Sequence, residues 1–162
     1  MKASENCLNF IKQWEGLRLR AYKALPTEKN YTIGYGHYSA YTKKNQVISL
    51  LEADKLLRED VTLIEHKMDD FEVQLSQNQY DAIISLIYNI GWYTFRSGMI
   101  YHTMAKLGRD KEPIDCARRI VLYVRASGKI VLMLQKRRVA EANMFLGEEK
   151  FYIEDGVIKE RD

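Results

Sequence analysis

Residues 15–37 read EGLRLRAYKALPTEKNYTIGYGH. The stretch joins a lone acid, an alternating segment, a loop containing Pro26 and a run with glycine at every second place. The residues before it explain where the acid sits. Cys7, Phe10, Ile11 and Trp14 recur at the i, i+3, i+4, i+7 spacing of an amphipathic helix, and Ser4 stands where an N-cap belongs. Gly16 is free to take positive φ and stops that helix, so Glu15 is at its C-terminus. The negative end of the macrodipole disfavours a second negative charge there, and any burial pushes the same way. The expectation is a raised carboxyl pKa, the property a general acid needs near neutral pH. The plain alternative is a solvated glutamate that ends a helix, and on these residues alone it is the stronger reading.

Leu17, Leu19 and Ala21 alternate with Arg18, Arg20 and Tyr22, the period-2 pattern of a half-buried strand. Residues 24–30 are polar around Pro26 and predict a turn or hairpin tip. Residues 31–37 then read as one strand. Tyr31, Ile33, Tyr35 and His37 share one face, and Thr32, Gly34 and Gly36 share the other. A face of one hydroxyl and two bare backbones packs poorly but lets a ligand approach the main chain. A bulged or tightly packed strand explains the same glycines without a ligand.

Three groups of residues bear a resemblance to a known family. Glu15-Gly16-Leu17-Arg18-Leu19, Ala21-Tyr22 and Thr32-Ile33-Gly34-Tyr35-Gly36-His37 closely resemble the active-site region of phage-type lysozymes, or endolysins. Gln77-Asn78-Gln79-Tyr80-Asp81-Ala82 with Tyr88-Asn89-Ile90-Gly91 resembles the central helix of that family. Gly128-Lys129 and Arg137-Arg138 with Glu141 resemble its C-terminal helical region, so the likeness runs to about Gly147. The first cluster is specific and the others are supportive.

The resemblance implies hydrolysis of the β-1,4 bond between N-acetylmuramic acid and N-acetylglucosamine in bacterial peptidoglycan. It implies cell-wall breakdown and host lysis. Glu15 matches the family's general acid, Thr32 its threonine, and Tyr88 is a candidate for substrate binding. The family's second carboxylate, in some members a cysteine, does not match: nine positions after Glu15 stands Ala24. The loop before Thr32 is also longer than the family pattern. Inverting hydrolysis needs a carboxylate to deprotonate water, with the two carboxyls roughly 6.5–9.5 Å apart, and a methyl group does neither job. Three accounts stay open: Glu28 acts as a substitute base, Thr32 positions water alone with slower turnover, or the protein binds glycan without cutting it. A working glycosidase ranks first, and a weakened or inactive peptidoglycan-binding or structural protein is the alternative. A purely helical interaction protein, with the lysozyme likeness only ancestral, is a third.

Composition narrows the classes. The 162 residues suffice for one domain with one or two lobes. A net charge of +3 does not argue for nucleic acid, and it suits an anionic wall polymer. Cys7 and Cys116 make no disulfide framework and are expected as free, mostly buried side chains. No apolar run reaches the length of a membrane span, and residues 1–6 lack a hydrophobic signal region. The expected setting is synthesis in the cytoplasm, that of the host if phage-encoded, and action on the wall after release. His37, His66 and His102 show no metal-ligand spacing. No metal and no cofactor are implied, because the chemistry is proton transfer and positioning. The expected partner is peptidoglycan glycan strands, met by a monomer.

The rest of the chain reads as scaffold. Ser49 with Glu52 forms a capping box for a long helix over residues 49–68, carrying Ala53, Val61, Ile64 and Met68 on one stripe. The resemblance suggests that Asp60 on this helix pairs with His37 as a structural ion pair. Ser76 with Gln79 caps a helix that is apolar almost all round and ends near Gly91. Trp92, Tyr93 and Phe95 are read as a short loop packing between helices. Ser97 is read as the cap of a helix ending at Gly108, Pro113 as the first turn of the next, and residues 126–129 as a turn. Adjacent arginines usually lie on a solvated face; pairing with an acid at the site, or with a muramic carboxylate, is the functional alternative for Arg137 and Arg138. Residues 151–159 predict a β-hairpin on an Asp-Gly turn, which needs something to dock on.

The expected fold is α+β and lysozyme-like. A small antiparallel-sheet lobe (about 15–48) is joined by the long helix (about 49–68) to an all-helical lobe (about 69–147), with a cleft between lobes. Residues 148–162 form the tail.

Overall fold

The structure, a computed structural model, describes residues 1–162. It is α+β, as expected, with seven helices and three small antiparallel sheets. The chain divides into two compact units, one of Leu8–Leu63, the other of Met1–Cys7 with Ile64–Asp162.

The first unit takes most of helix α1 (Glu5–Glu15), strands β1 (Arg18–Tyr22), β2 (Tyr31–Gly34) and β3 (His37–Ser39), and helix α2 (Leu50–Met68) up to Leu63. The Ser4 hydroxyl accepts from Cys7 N–H at 3.2 Å and caps α1. Gly16, at φ 70°, ends it by donating to Lys12 O at 3.1 Å. Ser49 and Glu52 close the expected capping box on α2, with Ser49 N–H to Glu52 Oε2 at 2.7 Å and Glu52 N–H to Ser49 Oγ at 3.2 Å. Leu8, Ile11, Ile33, Ile48, Ala53, Leu57 and Val61 are among the unit's buried apolar residues.

The strands depart from the sequence reading in two ways. Residues 31–37 are not one strand. Ile33 pairs with His37, so the run folds back as a hairpin, with Gly34 at φ 68° and Gly36 at φ 90° in its turn. These glycines serve a left-handed backbone that side chains rarely adopt. A Cβ at Gly34 would lie 3.5 Å from the Ala53 Cβ, so the turn also packs closely on α2. The left-handed backbone of the turn, not an open face for ligand, accounts for Gly34.

The second departure is β1, whose alternating pattern does not give a half-buried strand. Leu17 and Leu19 are 41% and 37% exposed. Arg18 pairs with Gly34 and Tyr22 with Thr32, leaving Leu19, Arg20 and Ala21 against Ile33 alone, an irregularity of the bulge kind. The extra residues bond elsewhere: Ala21 N–H to Gln46 O at 2.8 Å, and Ile48 N–H to Leu19 O at 2.9 Å. Pairing to residues 46–48 satisfies the backbone without burying the side chains.

The second unit is built on helices α3 (Gln77–Ile90) and α7 (Leu132–Leu146), which pack on each other. Ser76 and Gln79 form the capping box of α3, and its residues 80–87 are all buried. Short helices α4 (Trp92–Ser97), α5 (Met99–Met104) and α6 (Pro113–Ile120) surround the pair. Residues 92–97 are therefore helix, not loop. Ser97 does not cap the next helix: its hydroxyl donates back to Tyr93 O at 2.8 Å, and Gly98 is the N-cap of α5. Phe95 is fully buried against Trp92 and Tyr101, whereas Tyr93 is 87% exposed.

Residues 125–130 form a minimal hairpin of β4 (Arg125–Ala126) and β5 (Lys129–Ile130). The tail forms the expected hairpin, β6 (Phe151–Glu154) and β7 (Val157–Glu160), with Asp155 and Gly156 both at positive φ. It docks on α7 and α6. Phe151 is buried, Asn143 Nδ2 donates to Phe151 O at 2.9 Å, Gln135 Nε2 donates to Gly156 O at 2.7 Å, and Arg118 forms two bonds to Glu160. No helix is long and apolar enough to cross a membrane.

Candidate active site

Glu15 is the last residue of α1 and is half-buried. Its position follows from the chain's local chemistry: Gly16 breaks the helix, and the backbone enters β1 two residues later. The last turn of α1 is fixed by Lys12, whose Nζ lies 2.6 Å from Asp54 of α2 and 5.4 Å from the centre of the Tyr35 ring. A cation in the final turn also matches the negative helix end. Because β1 starts opposite Gly34, Glu15 stands at the end of the β1–β2 hairpin where the glycine turn lies.

Thr32 is on the central strand of the three-stranded sheet, opposite Tyr22 on one side and Tyr38 on the other. It is only 8% exposed. A side chain on a strand paired along both edges has little freedom to wander.

The loop from 23 to 30 is organised rather than loose. Ala24 occupies the position nine beyond Glu15, and its N–H donates to Glu28 Oε2 at 2.9 Å. Glu28 N–H donates to Leu25 O at 3.1 Å, closing a turn around Pro26. Lys23 Nζ lies 5.1 Å from the Tyr31 ring centre, and Asn30 N–H donates to Tyr38 Oη at 3.2 Å. Glu28 is half-buried while residues 24–27 are exposed.

His37 opens β3 and faces α2. Its Nδ1 lies 2.9 Å from Asp60 Oδ2 and 3.0 Å from Oδ1. The hydrogen bond to Asp60 raises the imidazole above its ordinary value; burial opposes this, and the charges of Asp60 and Glu59 add to it. The expected structural ion pair is present, tying β3 to α2.

In the other unit, Tyr88 is half-buried in the last turn of α3. The arginines correct the sequence reading. Arg137 and Arg138 are not on a solvated face but buried, at 3% and 0% exposure. Arg137 Nε donates to Glu141 Oε1 at 3.0 Å, and Arg138 donates from Nη1 to Glu141 Oε2 and from Nη2 to Asn89 Oδ1. Ser85 Oγ donates to Glu141 Oε1 at 2.7 Å, and Arg137 Nη2 reaches Ser85 O at 3.3 Å. This network links α3 to α7 in the core. Ser85 and Asn89 were invisible as its members because nothing local marks a polar residue whose partner is some fifty positions away.

No cluster of three or more His, Cys, Asp or Glu side chains is arranged to hold a metal ion. The chemistry available is that of carboxyl groups and a hydroxyl, which transfer protons and hold water.

Comparison with known proteins agrees with the sequence resemblance. The sequence model of the Phage lysozyme family matches residues 12–141. The endolysin of Bacillus phage B103 is 40% identical over 152 residues, which cover 93% of this chain and 56% of that protein. The endolysin of Salmonella phage P22 is 30% identical over 154 residues, covering 90% of this chain and 99% of that one. Among solved structures, the muramidase domain of SpmX from Asticaccaulis excentricus superposes with a TM-score of 0.77 at 29% identity, over 90% of this chain and 97% of that one. The architecture is thus the α+β lysozyme fold. The chain spans a little more than half the length of the Bacillus phage relatives it matches.

Proposed function

The chain belongs to the phage lysozyme family, and we propose that it is a muramidase. Its substrate is the β-1,4 bond between N-acetylmuramic acid and N-acetylglucosamine in bacterial peptidoglycan, and its role is that of an endolysin acting on the cell wall. The observation that carries this reading is the placement of Glu15 at the end of the helix that leads into β1, and of Thr32 on the middle strand that β1 pairs with.

Glu15 is the general acid. Its proton passes to the bridging oxygen as the bond from that oxygen to the sugar C1 breaks, and the bonding electrons leave with the oxygen. Thr32 holds the attacking water through its hydroxyl. The water oxygen bonds to C1, and its proton goes to a carboxylate that position 24 does not supply. Both fixed groups stand on regular elements, the condition for keeping a reacting geometry tight.

Release of new reducing ends from purified peptidoglycan tests the reading. Wild-type protein should open glycosidic bonds, and Glu15→Gln should lower the rate by about 10²–10⁴-fold or more without changing the melting temperature much. Intact glycan after long incubation with wild-type protein, on walls of several bacteria, would sink it. Ala24 is the one observation that favours a second reading, a module that binds glycan without cutting it. Co-sedimentation with peptidoglycan in the absence of cleavage would establish that instead.

A further inference from the structure

We infer that Glu28 is the second carboxylate of the reaction, the base that takes the proton of the attacking water. This rests on the muramidase reading, and it concerns the group that reading leaves without a name. The geometry behind it is a single contact. Ala24 has no side chain capable of acid–base chemistry, yet a carboxylate stands at its backbone: Glu28 Oε2 accepts the Ala24 N–H at 2.9 Å. An aspartate at position 24 would carry its own carboxylate within a few ångströms of that same amide. The loop therefore places a carboxylate at the backbone of position 24, by a side chain four residues further on.

The loop that makes the contact is anchored at several points. Glu28 N–H to Leu25 O closes the turn, Pro26 fixes one φ, Lys23 sits over Tyr31, and Asn30 N–H is bound by Tyr38 Oη. Tyr31 and Tyr38 flank Thr32, one as its neighbour in β2 and the other as its partner in β3. The loop that holds Glu28 is thus anchored to the strands that hold the threonine. The Ala24 amide occupies Oε2, and the second carboxylate oxygen has lone pairs with which to take a proton. The proton balance closes: Glu15 gives one proton to the leaving oxygen, Glu28 takes one from water, and exchange with solvent resets both.

The experiment measures reducing-end release from purified peptidoglycan by wild type, Glu28→Gln, the double variant Ala24→Asp/Glu28→Gln, and Glu15→Gln. Glutamine keeps an acceptor for the Ala24 N–H, so the loop should hold and the melting temperature should stay near that of wild type. Glu28→Gln should lower kcat by about 10²–10⁴-fold with KM little changed, and the acidic limb of the pH–rate profile should disappear. Ala24→Asp/Glu28→Gln should regain a large part of the lost rate, and added formate should partly rescue Glu28→Gln. A Glu28→Gln variant that is folded and within severalfold of wild type, while Glu15→Gln is inactive, overturns the assignment but leaves the muramidase reading standing. A wild type as inactive as Glu15→Gln overturns both.

Discussion

The His37–Asp60 pair makes a prediction about pH that Asp60→Asn isolates. Asparagine keeps the shape and an oxygen acceptor for the imidazole N–H, and removes only the charge. The two side chains are 21% and 24% exposed. That places the pair between exposed ion pairs, at about 0.2–1 kcal/mol, and fully buried ones, whose breaking costs about 3–5 kcal/mol. A loss of about 1–2 kcal/mol on Asp60→Asn is expected where His37 is charged. For a chain of this size that corresponds to a fall in melting temperature of about 2–8 °C.

The sign with pH follows from the raised imidazole. A histidine whose folded value lies above its unfolded value stabilises the fold fully below the unfolded value, about 6.5. The contribution disappears as pH rises through the higher, folded value. Thermal melts of wild type and Asp60→Asn at half-unit steps from about pH 5 to about pH 9 should therefore show the largest gap at the acidic end, closing through the region above about 6.5. A gap that is flat with pH, or that widens towards the alkaline end, would refute the argument that charge, rather than shape, is what Asp60 contributes.

Glu141→Gln should be far more damaging than any surface change, because it leaves two buried guanidinium groups, Arg137 and Arg138, without their counter-charge. A loss of about 3–5 kcal/mol is expected, read as a shift in the midpoint of urea unfolding. Phe151→Ala tests whether the tail is part of the fold: with Phe151 only 3% exposed, removal should cost about 3 kcal/mol or more, and a loss under about 1 kcal/mol would mean that the hairpin does not dock. Cys116 is fully buried and its thiol is pushed up to about 12, first by burial and then by the charge of Asp115. It should resist alkylation in the native protein and react on unfolding, as followed by mass spectrometry.

Much of the architecture is written locally. The capping boxes of α2 and α3, the stop at Gly16, Pro113 in the first turn of α6 and the Asp-Gly turn of the tail were all readable from a few adjacent residues. The helix end at Glu15 and the strand that carries Thr32 were readable in the same way, because both are local events, while the roles proposed for the two residues come from the family resemblance. The long loop makes Glu28 a candidate from the sequence; its contact with Ala24 is what the folded chain adds.

What the sequence determined by itself, then, is where α1 ends, where α2, α3 and α6 begin, that the tail turns at Asp155-Gly156, and which acid closes α1. These depend on hydrogen bonds between residues three or four apart, and the identities of those residues state them directly. Only the tertiary structure decided that residues 31–37 fold back on themselves, that β1 turns its backbone to residues 46–48 and leaves Leu19 exposed, and that adjacent arginines lie in the core. Each of these outcomes is settled by a partner distant in sequence: Ala53 for Gly34, Gln46 for Ala21, Ser85 and Asn89 for the arginines. Burial is a property of two surfaces that meet, and a pattern along one of them does not say which other surface will arrive.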